Sequence, residues 1–583
     1  MTVAVSIASA LLTAAFAQTN PTTHNGIACR NDAGITLPPG FCATVFADKL
    51  GHVRHMVAAP DGVLYVNTWS GRYYGYGTLP PGGFLVALKD TKGDGRADVI
   101  QRFGETVAGG GHGGTGVGLY KDGLYAEIND RIVRYQLKSD EIAPTSPPTT
   151  IVSGLPLSGD HPMHPFAIDS AGNMYVDLGS ATNACQKQNR IPHSPGIQPC
   201  TELETRAGTW RYDAKKTDQH FSPAERFVTG LRNGEGIAFD SQGRIFATQH
   251  GRDQLFENWP NLYAPNQGEN LPAEELVSEH QGADFGWPEC YFDNYQKQLV
   301  LAPEYGGDGG KEVGICAQKQ GPVAFFPAHW APNDLAIYYG TQFPNAYRGG
   351  AFIAFHGSWN RAPAPQQGYN VVFQPLADGK PSGAFVIFAD GFAGKYKDPG
   401  RAAHRPTGLA VAPDGSLYIS DDKAGTIWHV TYNGSRDAKI AAASAATGAE
   451  SSAAAALPPE GIHPNAGNEL AALQPPPGVT REQLARGEQI FKGQVDNGTC
   501  SGCHGMDAKG TPMGADLTSG KFLWGDGSLQ SIAHTIRTGV EHPKERSGVM
   551  PPDGGASLSD ADVTNVAAYV WALGHQQEAN VAK

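Results

Sequence analysis

Apolar residues along the first 430 or so positions come in short alternating bursts, each introduced by a turn pair and followed by polar residues. The pattern recurs six times: Pro60-Asp61-Gly62 before VLYV, Lys121-Asp122-Gly123 before LYA, Ser170-Ala171-Gly172 before NMYV, Ser241-Gln242-Gly243 before RIFA, Tyr347-Arg348-Gly349 before GAFI, and Pro413-Asp414-Gly415 before SLYI. Successive intervals run from about 50 to about 106 residues, each enough for a four-stranded sheet with loops. Six such sheets arranged radially make a six-bladed β-propeller, which leaves no long sheet edge open; the rival is an open sandwich. The longest interval, between the fourth and fifth copies, carries Cys290 and Cys316 and predicts a large inserted loop.

The pattern stops after Tyr432. From Asn433 to about Gly478 the chain is rich in Ala, Ser, Gly and Pro and has too few large apolar side chains to bury a core, so it reads as a tether. Helical spacing returns at Thr480 to Phe491, with Leu484, Ile490 and Phe491 as core positions, and a capping pattern at Ser559–Asp562 opens a second amphipathic helix. Between them Cys500-Ser501-Gly502-Cys503-His504 fits C-x-x-C-H, in which two thiols attach haem c covalently while the adjacent imidazole reaches the iron. Helix, haem motif, helix is the layout of a small class I cytochrome c. The expected fold is mainly β, a six-bladed propeller over 30–434, a linker over 435–478 and a small all-α cytochrome c domain over 479–577.

The sixth iron ligand must wrap round from the far side of the porphyrin. Met506 is too close to His504 and Met513 is marginal, so Met550, stiffened by Pro551 and Pro552, is expected, with His534 or His542 as the minor alternative. His/Met ligation raises the reduction potential, which suits an acceptor of electrons from an organic donor.

Composition agrees with a turn-rich β fold: 583 residues exceed one ordinary core, and 74 Gly and 42 Pro supply turns. A net charge of −13 argues against nucleic acid and anionic membranes as partners. Residues 2 to 14 are small and apolar and Ala15-Phe16-Ala17 is a cleavage pattern, so 1–17 reads as a signal peptide although no Lys or Arg precedes it. No other stretch approaches the ~20 apolar residues of a transmembrane segment. Six cysteines outside the haem motif suggest local disulfides, 29 with 42, 185 with 200 and 290 with 316, and with covalent haem they point to the periplasm. Asp90 to Asp98 resembles a calcium loop, but Lys92 takes a ligand position and Gln101 the closing one, so it reads as a turn.

Residues from about 35 to 432 resemble the soluble quinoprotein glucose and sorbosone dehydrogenases. The resemblance is carried by Gly159-Asp160-His161, Gly230-Leu231-Arg232-Asn233, Gln249-His250-Gly251-Arg252-Asp253, Gly286-Trp287-Pro288, His356-Gly357-Ser358-Trp359-Asn360-Arg361 and His404-Arg405-Pro406. It implies pyrroloquinoline quinone (PQQ) and Ca2+ at the top of the propeller. Three quinone carboxylates need planar cationic donors, which Arg232, Arg361 and Arg405 would supply, with Asn233 adding a hydrogen bond. By similarity calcium would rest on the carbonyls of Gly251 and Arg252, His161 would be the general base, and Asp160 and His112 would line the substrate pocket, with His164 the nearest competitor to His161. The function implied is oxidation of an aldose or related alcohol, with electrons passing to the haem and on to a downstream cytochrome or terminal oxidase. A calcium-dependent propeller hydrolase of the lactonase kind, or a sugar-binding module carrying a cytochrome, are the alternatives.

Overall fold

The computed structural model describes residues 33–68, 81–106, 114–139, 141–358, 360–361, 365–397, 399, 401–443, 473–492, 495, 500–505, 508, 510, 513–546 and 548–575, together with short strands at Thr23–His24 and Ile27–Ala28. The proposed signal peptide, Cys29, Met506 and His112 lie outside them.

Six sheets follow one another along the chain, antiparallel except where Gln219–His220 adds parallel to Thr149–Ser153 in the second. In each, the recurrent turn joins the first two strands, as at Val53–Ala58 with Leu64–Thr68 in the first and Pro406–Val411 with Leu417–Asp421 in the last. The second strands are buried nearly throughout, Leu64–Thr68 and Ala351–Phe355 along their whole length. Neighbouring blades cover both faces of these strands, so alternation in sequence does not become an in-and-out pattern here.

The ring closes by pairing an early strand with a late one. Phe41–Ala47 adds to Ile427–Tyr432 with Phe41 opposite Tyr432 and Cys42 opposite Thr431. Phe41 anchors the seam, its ring 4.8 Å from Phe343, 4.9 Å from Phe388 and 4.6 Å from Tyr432. Cys42 is disulfide-bonded, and Cys185–Cys200 and Cys290–Cys316 are both formed. The long fourth interval holds the insertion, with helices Leu255–Asn258 and Pro265–Asn270 and the hairpin Cys290–Asp293 with Gln298–Leu301.

The start of the expected tether departs from expectation. Ala438 and Ile440 pack on the core between the fifth and sixth blades, and Ala443 N donates to Ile387 O at 2.8 Å, so 435–443 belongs to the propeller surface. Beyond the linker, helix Arg481–Phe491 is capped by Thr480 and crosses helix Asp560–Gly574, capped by Ser559. A Cβ on Gly487 would lie 1.9 Å from Asn565 O, so glycine permits the helices to touch. Leu484, Ile490 and Phe491 are fully buried, as their spacing predicts.

Acidic residues lie inside the ring. Glu275 accepts from Gln249 Nε2 at 3.0 Å through one oxygen while the other has no partner, and burial pushes the carboxyl up from 4.5 to about 8. The folded state therefore keeps a proton that the unfolded chain loses as pH rises through that window, which costs stability. Glu275→Gln removes the dependence. Its stability relative to wild type, measured by urea unfolding, should climb between about pH 4.5 and about pH 8 and be constant below; a pH-independent difference would contradict the buried-acid reading.

Candidate active site

Loops from several blades meet in a polar cavity lined by Asp160, His161, Asn233, His250, His356 and Arg405. Gly159 has φ of +95° and a Cβ there would stand 2.3 Å from Ala181 Cα, so only glycine lets the loop deliver Asp160 and His161 against residues 179–181. His161 Nδ1 lies 2.9 Å from Ser180 O. A carbonyl only accepts, so Nδ1 carries the proton and Nε2 keeps its lone pair. Burial first, then the charge of Arg232, holds this imidazole well below its ordinary pKa, so it is neutral at pH 7.

One wall is an ion cluster around Asp253. Its Oδ2 accepts from Arg190 Nη2 at 3.1 Å and Arg232 Nη2 at 3.0 Å, and its Oδ1 from Asn360 Nδ2 at 2.7 Å. Burial alone would raise this carboxyl, but Arg232 and Arg190 outweigh it and hold the pKa well below the usual range. Arg190 also grips Asp160 Oδ2 through Nε at 3.2 Å and Nη2 at 3.0 Å. The opposite wall is built on Arg54, which donates to Asp422 Oδ2 at 2.9 Å and Glu235 Oε2 at 3.1 Å, while His356 Nε2 sits 2.8 Å from Asp422 Oδ1.

The expected residues divide. Asp160, His161, Asn233 and Arg405 line the cavity. Arg232 stands behind it, with donors engaged by Asp253, Asn183 and the Gly251 carbonyl. Arg361 points away, donating to Glu269 O at 2.7 Å and to Asn270 Oδ1, so it is not a cavity clamp. Of the expected calcium carbonyls, Gly251 O accepts from Arg232 Nη1 at 3.0 Å, while the Arg252 side chain pairs with Glu304 and does not bear on its carbonyl. His164 is walled in between Glu127 and Pro156 O and is a structural histidine. The Asp90 carboxylate caps backbone N–H groups of Lys92, Gly93 and Gly95, as a turn does. Arg190 and Arg54 escaped sequence reasoning, since neither stands in a motif.

A second, apolar cavity surrounds Cys500, Cys503 and His504, walled by Phe491, Ile532, Ile536, Val566 and Val570. His504 Nδ1 lies 2.8 Å from Ala515 O, which leaves Nε2 for a ligand. Met550 and Met513 both reach this cavity, and His534 and His542 do not line it. The Met550 loop is held by paired bonds, Val540 N to Met550 O at 2.7 Å and Met550 N to Val540 O at 3.0 Å. The two cavities share a wall made by Asp160, Arg190, Asp253, Asn360, Val549 and Pro551.

A family model described as TrAA12-like matches residues 35–433. The chain belongs to the TrAA12-like family. A second model, described as cytochrome c oxidase, cbb3-type, subunit III, matches residues 482–570 of this TrAA12-like chain. Curated relatives include a pyrroloquinoline quinone-dependent pyranose dehydrogenase of Coprinopsis cinerea, 29% identical over 227 residues, covering 34% of this chain and 30% of that protein. The cbb3-type oxidase subunit CcoP of Rhodobacter capsulatus is 43% identical over 99 residues, 16% of this chain and 29% of that protein. The matches thus span about a third of either relative. Among solved structures, the holo pyranose dehydrogenase PQQ domain of Coprinopsis cinerea aligns with TM-score 0.53 and 20% identity over 70% of this chain and 100% of that one. A calcium structure of a Trichoderma reesei AA12 enzyme aligns with TM-score 0.53 and 19% identity over 68% and 97%. These establish the shared fold: a six-bladed propeller, followed here by helices matching a cytochrome c domain.

The ion cluster of the TrAA12-like propeller makes a direct prediction. Asp253→Asn leaves two largely buried guanidinia without their shared anion and should destabilise the protein by about 3–5 kcal/mol. Chemical denaturation measures it, and a loss under ~1 kcal/mol would mean the cluster is solvated.

Proposed function

We propose that this chain is an exported quinohaemoprotein dehydrogenase that oxidises a sugar hydroxyl in the propeller cavity and delivers the electrons to its own c-type haem, for a downstream cytochrome or oxidase. The observation that supports this best is the wall common to the two cavities.

The residues present suit both groups. Arg405 donates to the carbonyls of His356 and Gly357, which fix the guanidinium without neutralising its charge. With Lys423 and Asn233 beside it, the cavity offers donors for a polycarboxylate such as PQQ. The second cavity offers two thiols, an imidazole with its tautomer fixed, and apolar walls, which suit haem c. Bound quinone supplies the hydride acceptor and bound haem the one-electron carrier, so one sugar corresponds to two haem reductions.

The chain's own contribution is the proton. His161 Nε2 accepts it from the sugar hydroxyl, and Ser180 O, holding Nδ1–H, fixes the ring and stabilises the charge that forms. Asp160, fastened by Arg190, is an acceptor for a neighbouring hydroxyl, which orients the ring for that transfer. The hydrolase alternative is disfavoured because the carboxylates near the cavity are committed to arginine, and among the described residues no three His, Cys, Asp or Glu side chains gather as a metal set.

The reading is tested by adding sugars to quinone-loaded holoprotein and following the haem spectrum. Quinone-dependent haem reduction supports it, and a haem that stays ferric while sugar is consumed defeats it. His161→Gln should slow that reduction by about 10²–10⁴-fold with the haem spectrum intact. Because the His161 pKa is depressed, the wild-type rate should hold as pH falls through 6.5 and drop only below it. Met550→Ala should lower the haem reduction potential while Met513→Ala leaves it in place; the reverse would exchange their roles.

A further inference from the structure

Arg190 stands in no sequence motif and touches the proton chemistry only by fastening Asp160, yet it lines both cavities. It sits in a loop closed by Cys185–Cys200 and holds φ of +61°, an unfavourable conformation for arginine that the loop maintains, with Arg190 N donating to Gln186 Oε1 at 2.9 Å. The side chain is fastened on three sides, to Asp160, to Asp253 and, through Nη1, to Gln254 Oε1 at 3.2 Å. Gln254 continues the contact, its Nε2 lying 3.8 Å from the Cβ position of Gly502, between the two haem-motif cysteines. Arg190 is thus linked through Gln254 to Gly502 of the haem motif and itself lines the haem cavity.

We propose that Arg190 is a positioning residue for electron transfer, a fixed positive charge between the two cavities that raises the reduction potential of the haem attached at Cys500 and Cys503. The proposal rests on the haem site of the preceding section but not on sugar oxidation. Its electrostatics are simple. Arg190 and Arg232 balance Asp160 and Asp253, so the cluster is neutral as it stands, and Arg190 is its cation on the wall of the haem cavity. Replacing Arg190 by a neutral residue leaves a net negative charge, which stabilises ferric over ferrous haem and lowers the potential.

The test is a spectroelectrochemical titration of the full-length holoprotein without sugar. Arg190→Gln should shift the haem redox equilibrium about tenfold toward ferric, ~59 mV for one electron. Arg190→Lys, keeping the charge, should stay near wild type. Gln254→Glu, which adds a negative charge at the same contact and leaves the cluster whole, should move the potential down as well and carries the test if Arg190→Gln does not fold. Unchanged potentials in the Gln and Glu variants overturn the proposal. So does an equal fall in the Gln and Lys variants, which would make Arg190 a merely structural tie. Since no substrate enters the measurement, a failure here is distinct from a failure to oxidise sugar.

Discussion

A ring of sheets is free of open edges only when its two ends meet, and here the meeting is the pairing of Phe41–Ala47 with Ile427–Tyr432. Every other feature of the propeller presupposes it. Closure brings Arg54, near the start of the chain, within 2.9 Å of Asp422, near the end of the propeller, and that pair in turn holds His356. The cavity is thus assembled from residues hundreds of positions apart, and its geometry is as stiff as the ring.

Closure also makes the interior a low-dielectric space in which charge must be justified locally. Where no cation stands near, an acid stays protonated well above its usual range, as Glu275 does near 8. Where arginines flank the carboxylate, as at Asp253, it remains ionised despite burial. Histidines in the same space become weak bases, His250 falling to about 3 and His356 to about 4. Neutral His161 belongs to this set, its ring oriented by Ser180 O at Nδ1.

Periodicity revealed the blades because each repeat turn marks the same hairpin of the same structural unit, and the haem motif was legible because covalent attachment demands adjacent residues. The partition of the arginines was not. Arg232 and Arg361 stand in motifs, yet one supports Asp253 and Gly251 from behind and the other ties down Glu269 and Asn270. A motif records which residues share a loop, whereas the direction of a guanidinium depends on acceptors supplied by other blades. Arg190 illustrates the converse: its partners Asp160, Asp253 and Gln254 lie 30, 63 and 64 residues away, beyond any local pattern. The tether was overextended for a related reason, since small residues such as Ala438 lack sequence signal but fit a groove between blades.

The common wall reconciles two opposed demands. A sugar site needs polar groups held rigidly against the pull of water, and a haem site needs apolar surface that keeps water from the iron. Asp160, Arg190, Asp253 and Asn360 meet the first demand with charges satisfied among themselves, so they can border an apolar slot without a solvation shell. Val549 and Pro551 meet the second, on the loop that also presents Met550. Because both sets face both cavities, the cytochrome-like helices and the propeller meet through a few side chains, and under the proposed function the polarity of that partition would bear on how readily electrons favour the iron.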